Sequence, residues 1–81
     1  MFVKVKRLAD GPGPSETVIG IQTSDGRQEE VVLSSKLVDS DMVDLGKPLL
    51  REDDNVLVEL PRESASGRWR IWIPVSAMAL T

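Results

Sequence analysis

Near the end of the chain Arg68, Arg70 and Trp72 stand at every second position, the spacing that lays side chains along one face of a β-strand. Two guanidinium groups beside an indole suit recognition. The ring can stack on a base, a proline-rich peptide or a partner's aromatic side chain. The competing reading makes Trp72 a cover for Leu57 and for Val18 or Val32, a small apolar cluster with the arginines left in water. The loop ADGPGPSE alternates Gly11, Pro12, Gly13 and Pro14. It serves as a connector, or as the mobile rim of a groove that would bring Pro12 and Pro14 to a partner. The candidate contact set is therefore Arg68, Arg70, Trp72, Leu57, Pro12 and Pro14.

Other constellations carry less chemistry. The chain has no histidine and no cysteine, which excludes thiolate zinc sites and the usual neutral-pH acid–base group. Asp39, Asp41, Asp44, Glu52, Asp53 and Asp54 offer hard oxygen ligands. They lack the glycine-centred spacing of a calcium loop and read as solvated turns. Ser35 and Lys36 are neighbours and would point to opposite faces of a strand, so they make no nucleophilic pair. Gly11 and Gly13 lack the strand–helix context of a phosphate loop. No catalytic residue, cofactor or metal ligand is assigned.

Charge narrows the partner. The net charge of −3 hides an acidic middle and a mildly basic end carrying Arg62, Arg68 and Arg70. General polyanion binding wants a clearly basic domain, so an unidentified protein partner is expected and a nucleic-acid contact through the same face is the alternative. With 81 residues, one domain over 1–81 is expected. No segment approaches membrane-spanning length and Met1–Leu8 is too short an apolar run for a signal peptide, so the expectation is a cytoplasmic, bacterial protein.

The elements that must position the site follow from alternation. Trp69, Ile71, Ile73 and Val75 share one face of a strand, and Val56, Val58 and Leu60 share one face of its partner. Joining the apolar faces requires Val58 to oppose Trp69 or Ile71. Either register sets Glu59 against Arg68 or Arg70, and places Leu57 near Arg70 or Trp72. Pro74 should end the ladder or lie on an edge. Strands over 17–23 and 27–34 form another hairpin. A three-residue loop with Gly26 in the left-handed region pairs Ile19 with Val31 and Thr17 with Leu33. Phe2–Leu8 reads as one strand, with Val3 and Val5 inward, and as the edge through which a weak homodimer would form if the protein is not a monomer. Residues 35–54 read as an irregular segment or one helical turn capped by Ser34 or Ser35, then a short strand around Met42–Leu45. Leu49 and Leu50 would plug one end of the barrel, before a polar turn over 51–55. No internal repeat is evident.

A Trp-rich strand followed by Ile73-Pro74, Ser76 and Met78 resembles the closing segment of Src-homology-3-like barrels, in which a strand reaches a proline, makes a short helical turn and ends on an apolar residue. The early Pro/Gly loop and the mid-chain hairpin are similar in order. The resemblance implies an all-β, five- or six-stranded antiparallel barrel with at most one short helical turn, used as an interaction module. It carries over no peptide-binding tyrosines, because the chain has no tyrosine.

Overall fold

The structure, a computed structural model, describes residues 1–79. Ten short strands run β1 Phe2–Lys4, β2 Lys6–Asp10, β3 Glu16–Gln22, β4 Gln28–Ser34, β5 Val38–Asp39, β6 Met42–Asp44, β7 Leu50–Glu52, β8 Asn55–Glu59, β9 Arg70–Pro74 and β10 Met78–Ala79. Single 3-10 turns, Ser35–Leu37 and Val75–Ala77, precede β5 and β10. Among the described residues all pairing is antiparallel, in three sheets ordered β10-β1-β6-β5, β2-β3-β4 and β7-β8-β9, and none of the three closes on itself. The protein is thus all-β, with more and shorter strands than expected and two helical turns where at most one was anticipated.

Alternation decides which faces meet. Across the four-stranded sheet, Met78, Val3, Val43 and Val38 form one cross-strand row. Val3, Val43 and Val38 are buried and Met78 packs against the same core. Thr17, Ile19, Ile21, Val31 and Leu33 turn inward from β3 and β4, and Val56, Val58, Ile71 and Ile73 from β8 and β9. Thr17 apart, these side chains join Val3, Val43 and Val38 in one apolar cluster fed by all three sheets. Val5 lies between β1 and β2, is buried, and donates its N–H to the Asp41 carbonyl at 2.9 Å. That bond turns the chain out of one sheet and into the next.

The two registers follow the alternation argument. Val58 opposes Ile71, Glu59 opposes Arg70 and Leu57 opposes Trp72; Ile19 opposes Val31 and Thr17 opposes Leu33. Gly26 has φ +83° in its three-residue loop, and Pro74 is the last residue of β9. Ser34 caps the first 3-10 turn, accepting from the Lys36 N–H at 3.4 Å.

Four further expectations fail. Trp69 is 53% exposed and lies outside β9. The ladder runs out at Glu59–Arg70, with one further bond from the Leu60 N–H to the Trp69 carbonyl, so strand parity no longer governs its side chain. Leu49 and Leu50 are exposed and plug nothing, because Leu50–Glu52 is a strand pairing with β8 and its Leu50 lies in the register of outward-facing Leu57. Phe2–Leu8 is split at Val5, and its first half is paired on both sides, by β10 and β6, so it is no edge; only β2 borders its sheet.

The chain, whose sequence shows no internal repeat, nevertheless folds as two similar halves. The order of two short strands, a hairpin, a 3-10 turn and a two-residue strand occurs once over β1–β5 and again over β6–β10. The Val5 N–H to Asp41 carbonyl bond is matched by Leu45 N–H to Met1 carbonyl, a shift of 40 for both donor (5 to 45) and acceptor (1 to 41). Pairs Phe2–Ala79 and Val3–Met78 are matched by Met42–Asp39 and Val43–Val38. Each half thus lends its last strand to the first strand of the other, about a pseudo-twofold axis at the Val3–Val43 pair. The hairpin turns repeat as well: Thr23-Ser24-Asp25-Gly26-Arg27 and Ser64-Ala65-Ser66-Gly67-Arg68 close with the same two backbone bonds, Thr23 N–H to Arg27 carbonyl and Gly26 N–H to Thr23 carbonyl in the first, Ser64 N–H to Arg68 carbonyl and Gly67 N–H to Ser64 carbonyl in the second. Gly67, at φ +85°, stands where Gly26 stands in the first turn.

Candidate functional site

Trp72 sits at the centre of β9 on the face turned away from the core. Its neighbours follow from the register: Leu50 opposes Leu57, and Leu57 opposes Trp72, so the three form one apolar row across the outer face of the third sheet. Leu57 and Trp72 are half-buried and Leu50 is exposed. Polar rows flank them, Glu52–Asn55–Pro74 on one side and Glu59–Arg70 on the other.

The first hairpin turn completes the site. The Ser24 N–H donates to the Trp72 carbonyl at 2.9 Å, which docks Thr23–Asp25 against the free side of β9. Between that turn and the sheet lies an open cleft of about 350 Å³ lined by Thr23, Ser24, Asp25, Glu52, Asn55, Arg68, Ile71 and Trp72. The turn is internally braced. Arg27 N–H donates to Thr23 Oγ1 at 3.2 Å, as Arg68 N–H donates to Ser64 Oγ at 3.1 Å in the other half. The Thr23 hydroxyl donates to the Asp25 carboxylate. That bond, assisted by the Arg27 N–H and guanidinium, holds the Asp25 carboxyl below its ordinary value.

The two arginines of the candidate set are both engaged. Arg70 Nε stands 3.3 Å from Glu59 Oε2, a cross-strand pair in solvent. Arg68 precedes the strand and lies in the second hairpin turn, with its Nε 3.9 Å from Glu29 Oε2. Glu29 is itself buried and accepts from the Ser66 hydroxyl at 2.6 Å. It opposes Ile21 in the β3–β4 ladder, so the bulge register that aligns the aliphatic residues also turns this carboxylate inward. A buried carboxylate needs such partners, and Ser66 and Arg68 reach it from the other half of the molecule.

Pro12 and Pro14 are exposed in the β2–β3 connection, before β3 begins at Glu16. The cleft meets the same hairpin at its opposite end, around Thr23. Six intervals of about 3.3 Å separate those ends, so the proline loop does not join the cleft. Arg68 and Trp72 come together there; Leu57 adjoins Trp72 across the sheet without lining the cleft, and Arg70 lies one row away.

Residues that alignment of one hairpin did not point to are Thr23, Ser24, Asp25, Glu52 and Asn55. Asp25 and Gly26 were legible as a turn, but nothing local says that this turn packs on β9. Among the acids weighed as metal ligands, Asp41 pairs with Arg7 at 3.7 Å and Asp44 with the N-terminal ammonium at 3.1 Å. No group of three or more acids gathers for a metal ion among the described residues, and among them no helix is long and apolar enough to cross a membrane. No protein-family model, curated protein or solved structure matches this chain.

Proposed function

We propose that this protein is a non-enzymatic interaction module that engages a protein partner through the cleft between the Thr23–Asp25 turn and Trp72. The observation that carries the reading is the composition of that cleft. A half-buried indole and an adjoining apolar row give a partner area to bury, and Asp25, Glu52 and Asn55 supply polar groups that fix orientation. Aromatic anchors in such settings supply a large share of binding energy. The finer architecture proposed is Src-homology-3-like, supported by the strand–3-10 turn–strand ending at Ile71–Ala79 and by its second occurrence at Val31–Asp39. A cytoplasmic setting is retained as part of the proposal.

A photoreactive amino acid at Ser24, which lines the cleft, or at Leu50, at the far end of the apolar row that Trp72 begins, tests it in lysate of the source cells. The expected result is a discrete protein adduct that disappears when Trp72→Ala is added, and that a probe at exposed Lys6 does not form. Adducts that persist without Trp72, or that arise equally at Lys6, overturn the proposal.

Nucleic-acid contact through Arg68 and Arg70 remains the second reading. Engagement of both arginines by Glu29 and Glu59, and the two carboxylates of the cleft, favour a protein over a polyanion. Titration with single-stranded oligonucleotides at low salt decides it: binding that weakens steeply with salt would revive this alternative.

A further inference from the structure

The pseudo-twofold axis gives the cleft a counterpart in the other half, and the counterpart is filled. Thr17 opposes Leu33 and Glu16 opposes Ser34 in β3–β4, as Val56 opposes Ile73 and Asn55 opposes Pro74 in β8–β9. Glu16 therefore corresponds to Asn55, and Val32 to Trp72. Over Glu16 and Val32 lies the side chain of Arg62: its Nη1 donates to Glu16 Oε2 at 3.0 Å and to the Val32 carbonyl at 3.4 Å.

Arg62 reaches this place because the second hairpin has a longer loop. Between the inward Ile21 and the capping Thr23 stands Gln22 alone; between Leu60 and Ser64 stand Pro61, Arg62 and Glu63. The two added residues also move the turn's docking point. Ala65 N–H donates to the Glu30 carbonyl, whereas Ser24 N–H donates to that of Trp72. In the first half the shorter loop carries no such side chain: the Ser24 N–H takes the Trp72 carbonyl, the equivalent of Val32's, and Asn55 and Trp72, the equivalents of Glu16 and Val32, line the open cleft.

We infer that the Trp72 cleft receives an arginine side chain of a protein partner, in the position that Arg62 takes in the other half. The inference rests on the partner-binding reading above. Three features of the open cleft suit a guanidinium. Trp72 replaces Val32 and offers an aromatic face to a cation. Asp25 and Glu52 bring carboxylates to the lining, and a guanidinium pairs with carboxylates through a planar fork of donors. Glu52 takes part in no ion pair among the described residues and Arg68 is drawn towards Glu29, while Asp25 keeps an exposed pair with Arg27, whose Nε stands 3.7 Å from its Oδ2, that an incoming guanidinium would share.

N-acetyl-arginine amide, added to the isotope-labelled protein and followed by NMR, tests this directly, with N-acetyl-citrulline amide as the uncharged isostere. Saturable shifts are expected at the Ser24, Asp25 and Asn55 amides and the Trp72 indole. Binding of the citrulline compound, or of arginine to the Asp25→Asn/Glu52→Gln variant, should be weaker by at least about tenfold, the loss of one good charged pair. In Arg62→Ala the vacated counterpart should add a second set of shifts at Glu16 and Val32. Equal binding of both compounds, undiminished binding to the double variant, shifts that avoid the cleft, or an unresponsive Glu16–Val32 region in Arg62→Ala would each overturn the inference. If the arginine probe fails while photocrosslinking still depends on Trp72, only the guanidinium assignment falls. If both fail, the partner reading falls with it.

Discussion

Trp69 and Trp72 lie three positions apart and do different things. Trp69 is more than half exposed, beyond the ladder, so Trp69→Ala should change the unfolding free energy by no more than about 1 kcal/mol, the range of surface substitutions. Ile71, 2% exposed beneath the cleft, should cost about 2–5 kcal/mol when cut to alanine. Trp72→Ala, losing a half-buried ring, should fall between them at about 1–2 kcal/mol. Urea unfolding of the three variants checks the order. Glu29 makes a separate case: Glu29→Ala removes the acceptor of the Ser66 hydroxyl and should cost about 1–3 kcal/mol. The alternation that placed Ile71 and Ile73 was legible in the sequence because both lie inside a paired strand. The exposure of Trp69 was not, because nothing local marks where pairing stops. The burial of Glu29 was not legible, because its partners Ser66 and Arg68 come from the other half of the molecule.

At the scale of elements, the recurring unit is the five-residue hairpin turn with a hydroxyl at its first position and glycine at its fourth. Gly26 and Gly67, at φ +83° and +85°, occupy the left-handed region that costs an L-residue about 1–2 kcal/mol. Gly26→Ala and Gly67→Ala should each lose about that much in thermal or urea unfolding. Asp25 links this turn to pH. Its carboxyl is held low by the Thr23 hydroxyl, and that of Asp44 by the Gly46 N–H with help from the N-terminal ammonium. Both groups are charged more readily folded than unfolded. Their stabilisation is therefore present above the ordinary value of 3.8 and is lost as pH falls through the lower folded values. The acid-induced drop in Tm should be shallower in Asp25→Asn and in Asp44→Asn than in the parent, and an unchanged drop would contradict it. The first turn could be derived because only a three-residue loop aligns Ile19, Ile21, Val31 and Leu33. Residues 35–54 could not be, since two- and three-residue strands leave too few alternations to recognise.

For the whole molecule, the duplication organises both fold and site. It was hidden in the sequence because equivalent core positions carry different residues, Thr17 for Val56 or Leu33 for Ile73. The two added residues at 61–63 break any constant period. Only the bonded pairs, such as Val5–Asp41 with Leu45–Met1, make the equivalence plain. The cleft belongs to this scale as well, since one wall comes from each half, which explains why Arg68 and Trp72 were visible from a single hairpin while Thr23, Ser24 and Asp25 of the other half were not. The central claim is that Trp72 serves a partner and that the scaffold stands without it. Affinity for the crosslinked partner, measured on folded Trp72→Ala and Trp69→Ala proteins side by side, tests that claim most directly. The account predicts at least about a tenfold loss for Trp72→Ala and near-parent affinity for Trp69→Ala; parent-like binding by Trp72→Ala, or an equal loss in both, would contradict it.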